Sequence, residues 1–130
     1  MTRRAKILII DDSQLSLDIL QAKLVERYDV VSTTEPGDAL GLARENWPDL
    51  IICDFDMPEM DGADVSEALR ADGELRNIPL LFLTALVTTA DQNRVRKEIG
   101  GRPAIAKDSP RDQITEKVEA MLRAAQSRRL

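Results

Sequence analysis

Four short apolar runs, Ile7–Ile10, Leu50–Cys53, Leu80–Leu83 and a weaker Pro103–Ala106, are each followed by a polar residue, and the segments between them carry helical spacing. Apolar runs of this length, bounded by polar residues, read as strands buried on both faces. A fifth run, Asp29–Thr34, is half polar and reads as an edge strand. Leu17, Leu20 and Leu24 share one face of a first helix, and Leu40, Ala43 and Trp47 line a second. Val65, Ala68 and Leu69 mark a third, and Ile114, Val118, Met121 and Leu122 the last. A fourth helix is expected between Thr89 and Ile99, with Val95 and Ile99 as its apolar positions. Strand and helix alternating five times predict an α/β fold, a parallel sheet with helices on both faces.

Local punctuation agrees. Asp61-Gly62-Ala63-Asp64 and Ser109-Pro110-Arg111-Asp112 both look like helix N-termini with a capping acceptor and an acid in the first turn. Gly37, Gly73 and the Gly100-Gly101 pair fall near the expected boundaries. With no internal repeat or linker, one domain over 1–130 is expected, with its core at about 5–126.

A parallel sheet brings all its strand C-termini to one edge, where open α/β sheets bind ligands. Asp11-Asp12, Asp54, Thr84 and Lys107 follow four different strands and therefore converge there. Three crowded carboxylates repel one another unless a cation neutralises them. An all-oxygen set suits a hard cation, and Mg2+ takes a few carboxylates together with phosphate oxygens. A carboxylate also serves as a nucleophile toward phosphorus. A lysine and a hydroxyl stabilise the charge spread over the transferred group. Each piece alone has a plainer reading: an Asp-Asp pair is commonly solvated surface, and Asp56 and Glu59 are ordinary loop acids. One suitable group after each of four strands favours phosphoryl chemistry.

Composition narrows the classes further. A net charge of -5 argues against nucleic-acid binding, which favours a basic surface. The absence of histidine excludes a phosphohistidine carrier, a histidine base and a His-rich metal site. Cys53 is the only cysteine, so no internal disulfide forms; a packed strand residue in a reducing cytoplasm is expected. The basic opening before Ile7 imitates a signal peptide, but its apolar stretch is too short and Asp11 stops it. The longest apolar run, Ile78 to Val87, is about half a membrane span, so no membrane association is expected.

These residues resemble the receiver domains of two-component response regulators, chemotaxis-regulator-like members included. Ile7-Leu8-Ile9-Ile10-Asp11-Asp12-Ser13 is similar to the family's first strand and acidic pair. The stretch from Pro48 to Gly62 resembles its phosphoacceptor segment almost throughout. Thr84-Ala85 resembles the switch threonine with its small neighbour, and Lys107 the family's lysine. The resemblance implies a flavodoxin-like doubly wound (βα)5 sandwich of three layers, with strand order 2-1-3-4-5. It implies that Asp54 is the nucleophile and phosphorylation site, and that Asp12 and Asp54 ligate Mg2+ directly. Asp11 would act mainly through metal-bound water and Asp56 through its backbone carbonyl. Thr84 and Lys107 would move toward the new charge and shift the face built from the fourth helix, fifth strand and fifth helix. The implied donor is a sensor histidine kinase or a histidine phosphotransfer protein. An output protein or domain is the implied recipient of the signal, and a homodimer is among the assemblies the family allows. Beyond catalysing its own phosphorylation and slow dephosphorylation, no enzyme activity is expected.

Two positions depart from the family pattern. Ala104 stands three residues before the lysine, where an aromatic switch residue is usual, leaving a notch for a partner side chain. Asp108 follows Lys107 where proline is usual. Leu86, two beyond the threonine, is apolar and cannot orient a hydrolytic water, which implies slow self-dephosphorylation. Rival readings are a receiver kept only for docking, a haloacid-dehalogenase-like phosphatase using Asp54-Phe55-Asp56, and an FMN carrier. The acidic pair precedes that Asp-x-Asp motif, against the phosphatase, and Asp11-Asp12 would repel a flavin phosphate.

Overall fold

All five residues of Leu50–Asp54 and all five of Leu80–Thr84 are buried, as strands covered on both faces must be. In this computed structural model residues 3–57, 60–85 and 98–128 are described. In chain order the strands are β1 (Lys6–Ile10), β2 (Asp29–Thr33), β3 (Leu50–Asp54), β4 (Leu80–Thr84), β5 (Glu98–Ile99) and β6 (Arg102–Ala106). The helices are α1 (Gln14–Leu24), α2 (Ala39–Asn46), α3 (Gly62–Ala71) and α4 (Arg111–Arg128). The sheet order is β2-β1-β3-β4-β6-β5. Its first five strands are parallel, in the flavodoxin-like order expected from the sequence, and β2 is the half-polar edge.

Successive side chains of a strand point to opposite faces, so the sheet feeds two cores. Leu8, Ile10, Ile51, Cys53, Leu80 and Phe82 pack with Ala39, Ala43, Val65 and Leu69 of α2 and α3. Ile7, Ile9, Leu50, Ile52, Leu81 and Leu83 pack with Leu17, Leu20 and Leu24 of α1 and with Ile114 and Val118 of α4. Fully burying one such side chain stabilises the fold by about 1.5–3 kcal/mol.

Local signals fix where the helices start. The Asp61 carboxylate accepts from the Asp64 N–H at 3.0 Å while the Asp64 carboxylate accepts from the Asp61 N–H at 3.1 Å, a reciprocal capping box on α3. Ser13 caps α1, its hydroxyl oxygen accepting from the Ser16 N–H at 3.3 Å. Ser109 does not cap α4 as its sequence position suggests. The helix begins two residues later, and the buried Ser109 hydroxyl has no hydrogen-bond partner.

Two further expectations are corrected. Trp47 does not line α2: it ends the helix in the left-handed region at φ 47° and is half exposed, while Ala39 and Ala43 form the buried face. Ile99, expected on a fourth helix, lies in β5 and pairs antiparallel with β6. Gly100 and Gly101 adopt φ of 57° and 79°, the two consecutive positive values that a tight two-residue hairpin requires. The remainder of that expected helix, with Val95, lies outside the described residues, as do Leu86 and Glu59. Among the described residues no helix is long and apolar enough to cross a membrane.

Candidate functional site

Register brings the acids together. Ile10 of β1 is level with Cys53 of β3, so the residues that follow, Asp11 and Asp54, emerge side by side from adjacent strands. On the other side of β3, Asp54 is level with Leu83, which places Thr84 one step beyond it. Thr84 in turn is level with Ala106, and Lys107 follows. The Lys107 N–H donates to the Thr84 carbonyl at 2.9 Å, extending the β4–β6 pairing to the site. Residues 11, 54, 84 and 107 thus meet because four parallel strands stop at one level.

Carboxylate oxygens of Asp11, Asp12 and Asp54 lie within 4.8 Å of one another. Asp11 and Asp54 are buried and Asp12 is exposed, so the cluster opens to solvent on one side. Lys107 Nζ stands 2.9 Å from Asp11 Oδ2 and 3.4 Å from Asp54 Oδ2. Asp11 is held further by the Ser13 N–H, which donates to its Oδ1 at 2.9 Å. Among the described residues the Lys107 ammonium faces two of these three acids, and the remaining negative charge is what a divalent cation corrects.

Electrostatics follow from that crowding. Burial pushes the Asp54 carboxyl up to about 6; the Asp11 charge adds to this, and Lys107 and the Asp56 N–H oppose it. Burial works against the Lys107 charge, but the Asp11 and Asp54 carboxylates outweigh it and hold its pKa above the ordinary lysine value. The buried Cys53 thiol is pushed strongly up by burial and by the neighbouring acids, and it donates to the Asp54 carbonyl at 3.3 Å. A thiol held protonated in this way is a packed strand residue.

Asp56 stands apart from the three-acid cluster. Its N–H donates to Asp54 Oδ1 at 3.3 Å, while its side chain reaches across to β4. There Asp56 Oδ2 accepts from the Thr84 hydroxyl at 3.2 Å and from the Ala85 N–H at 3.3 Å. Ala104 is buried on β6, level with Phe82. A cavity of about 310 Å3 adjoins it, lined also by Ser109, Gln113 and Lys117. A larger cleft of about 480 Å3 opens on the α1 side of the site, between Ile19, Lys23, Thr84 and Lys107.

Two contributors and one side-chain role were not singled out from sequence. Ser13 orients Asp11, and its signal was its place directly after the acidic pair. Gly62 abuts the acceptor strand: a Cβ there would lie 2.8 Å from Phe82 Cε1, 2.9 Å from Phe55 Cα and 3.0 Å from the Asp54 carbonyl oxygen. The side-chain role of Asp56 has no linear signal, because its partners lie 28 and 29 residues away.

Comparison with known proteins agrees with this geometry. The sequence model of the response regulator receiver domain matches residues 7–119. The polar-differentiation response regulator DivK of Brucella ovis is 37% identical over 93 residues, covering 70% of this chain and 75% of DivK. The signal receiver domain of a signal transduction histidine kinase from Syntrophus aciditrophicus superposes with a TM-score of 0.77 at 31% identity, covering 92% of this chain and 91% of that one. The Vibrio cholerae chemotaxis protein CheY4 does so with a TM-score of 0.77 at 25% identity, covering 92% and 99%.

Proposed function

The chain belongs to the response regulator receiver family, whose members are signalling domains working between kinases and output partners, and on that basis we propose that Asp54 is its phosphoacceptor. The observation that carries this reading is the cluster of Asp11, Asp12 and Asp54 within 4.8 Å, with Lys107 against two of the three. The phosphatase reading of Asp54-Phe55-Asp56 is set aside with the family assignment.

The donor is a phosphohistidine on a sensor kinase or a phosphotransfer protein, which reaches Asp54 from the α1-side cleft. An Asp54 carboxylate oxygen attacks phosphorus, the P–N bond breaks, and its electron pair returns to the imidazole nitrogen. Lys107 pairs with one phosphoryl oxygen and the Thr84 hydroxyl donates to another, so both move toward the new charge. The all-oxygen cluster fits Mg2+, which Asp12, Asp54 and the backbone carbonyl of Asp56 would hold directly and Asp11 mainly through bound water. When bound, Mg2+ neutralises the acids and draws charge from the transferred group. Residues 1–130 make one receiver domain with its core at about 5–126, working in the cytoplasm, and the output partner reads the face beside Ala104. Without an aromatic ring at Ala104, that face changes through its strand and helix positions.

Incubation with acetyl phosphate and Mg2+, followed by intact-mass measurement, tests the reading. A single phosphoryl adduct is expected in the native protein and none in Asp54→Asn or in EDTA. An adduct equally abundant in Asp54→Asn, or none in either protein, rejects Asp54 as acceptor and favours a receiver kept for docking.

A further inference from the structure

Asp56 does two things at once: its backbone N–H holds Asp54, and its carboxylate occupies the two donors that end β4. We propose that the Asp56 carboxylate is a resident competitor of the phosphoryl group, bonding the Thr84 hydroxyl and the Ala85 N–H in the unphosphorylated protein and setting how readily the site takes up its anion. The proposal rests on the reading of Asp54 as acceptor.

Thr84 lies one step past the residue level with Asp54 on the neighbouring strand, so a phosphoryl group on Asp54 extends toward Thr84 and Ala85. Thr84 itself is buried, whereas Asp56 and Ala85 are exposed. A carboxylate oxygen is an anionic acceptor, and it satisfies those donors much as a phosphoryl oxygen would. Both anions cannot occupy the same two donors, and a phosphoryl group on Asp54 would repel a carboxylate held there. Uptake of the phosphoryl group therefore requires the Asp56 side chain to swing out to solvent, which its exposure permits. Resting and phosphorylated arrangements are then two states separated partly by one anion exchanging for another on Thr84. A residue without charge at this position would leave Thr84 poised for the phosphoryl group.

Beryllium trifluoride anion with Mg2+ is the probe, because it occupies the phosphoryl position without group transfer. Its affinity would be measured by fluorescence or calorimetric titration in the native protein, Asp56→Ala, Asp56→Asn, Thr84→Ala and the Asp56→Ala/Thr84→Ala double variant. Asp56→Ala should bind it about tenfold more tightly, the worth of one charge-assisted hydrogen bond freed for the probe. Asp56→Asn, which keeps an oxygen acceptor but no charge, should fall between, and it stands in if the alanine variant folds poorly. On the Thr84→Ala background most of the gain should vanish, as coupling through a shared donor requires. Unchanged or weaker binding by both Asp56 variants overturns the proposal, and so does a gain undiminished without Thr84, which would reflect overall charge. If the native protein and every variant fail to bind the probe, the reading of Asp54 as acceptor falls as well.

Discussion

Asp54 carries the tension of the site at the scale of a single residue. Its folded-state pKa of about 6 lies above the ordinary carboxylate value of about 3.9, so the folded chain holds this proton more tightly than the unfolded one. Stability therefore falls as pH rises between about 4 and about 6, and the cost is fully present above that window. In EDTA, Asp54→Asn should be more stable than the native chain by about 1–3 kcal/mol at pH 8. The difference should close as the pH is lowered to about 4, as followed by urea denaturation. A gap independent of pH would separate the stability effect from this carboxyl. Asp11, Asp12, Asp54, Thr84 and Lys107 were legible jointly, because a polar group follows each of four apolar runs. The side-chain bond from Asp56 to Thr84 was not, since it depends on a rotamer reaching to the neighbouring strand.

Elements deliver those residues, and their boundaries are set by small local devices. The capping box of Asp61 and Asp64 was visible as an acid pair at the right spacing, and the structure forms it. Beside it, Gly62 allows the start of α3 to press on the end of β3, its N–H donating to the Phe55 carbonyl at 3.1 Å. Gly62→Ala should cost about 1–3 kcal/mol, because backbone atoms of Phe55 and Asp54 cannot yield cheaply to the new methyl. Gly41, within α2, meets nothing within 4 Å, and Gly41→Ala should stabilise by about 0.5–1 kcal/mol through helix propensity. Chemical denaturation of both variants checks the pair; equal effects would remove the close approach as the cause. Trp47 shows where periodicity misleads: it holds the helical spacing after Leu40 and Ala43, yet the chain turns left-handed there and leaves the ring half exposed. Ile99 failed similarly, as an apolar residue before two glycines satisfies either a helix end or a hairpin.

At the scale of the whole molecule, the acidic cluster is assembled only when β1 and β3 pair, so Mg2+ should bind the folded chain and not the unfolded one. At roughly ten times its Kd, Mg2+ should add about 1.4 kcal/mol and raise Tm by a few degrees. Asp12→Ala should lose most of that increment while folding normally, since Asp12 is exposed. Differential scanning calorimetry with and without Mg2+ measures this, and equal shifts in both proteins would argue against Asp12 as a ligand. The sequence by itself determined the strands of the parallel sheet, the helices α1 to α4 and the chemical group after each buried strand, because periodicity and apolar burial act over neighbouring residues. Only the tertiary structure decided the register that sets Asp11 beside Asp54, the reach of Lys107 to both, the hairpin at Ile99 and the turn of Asp56 toward Thr84. Those depend on strands far apart in the chain meeting at one level, and no local energy term records that distance.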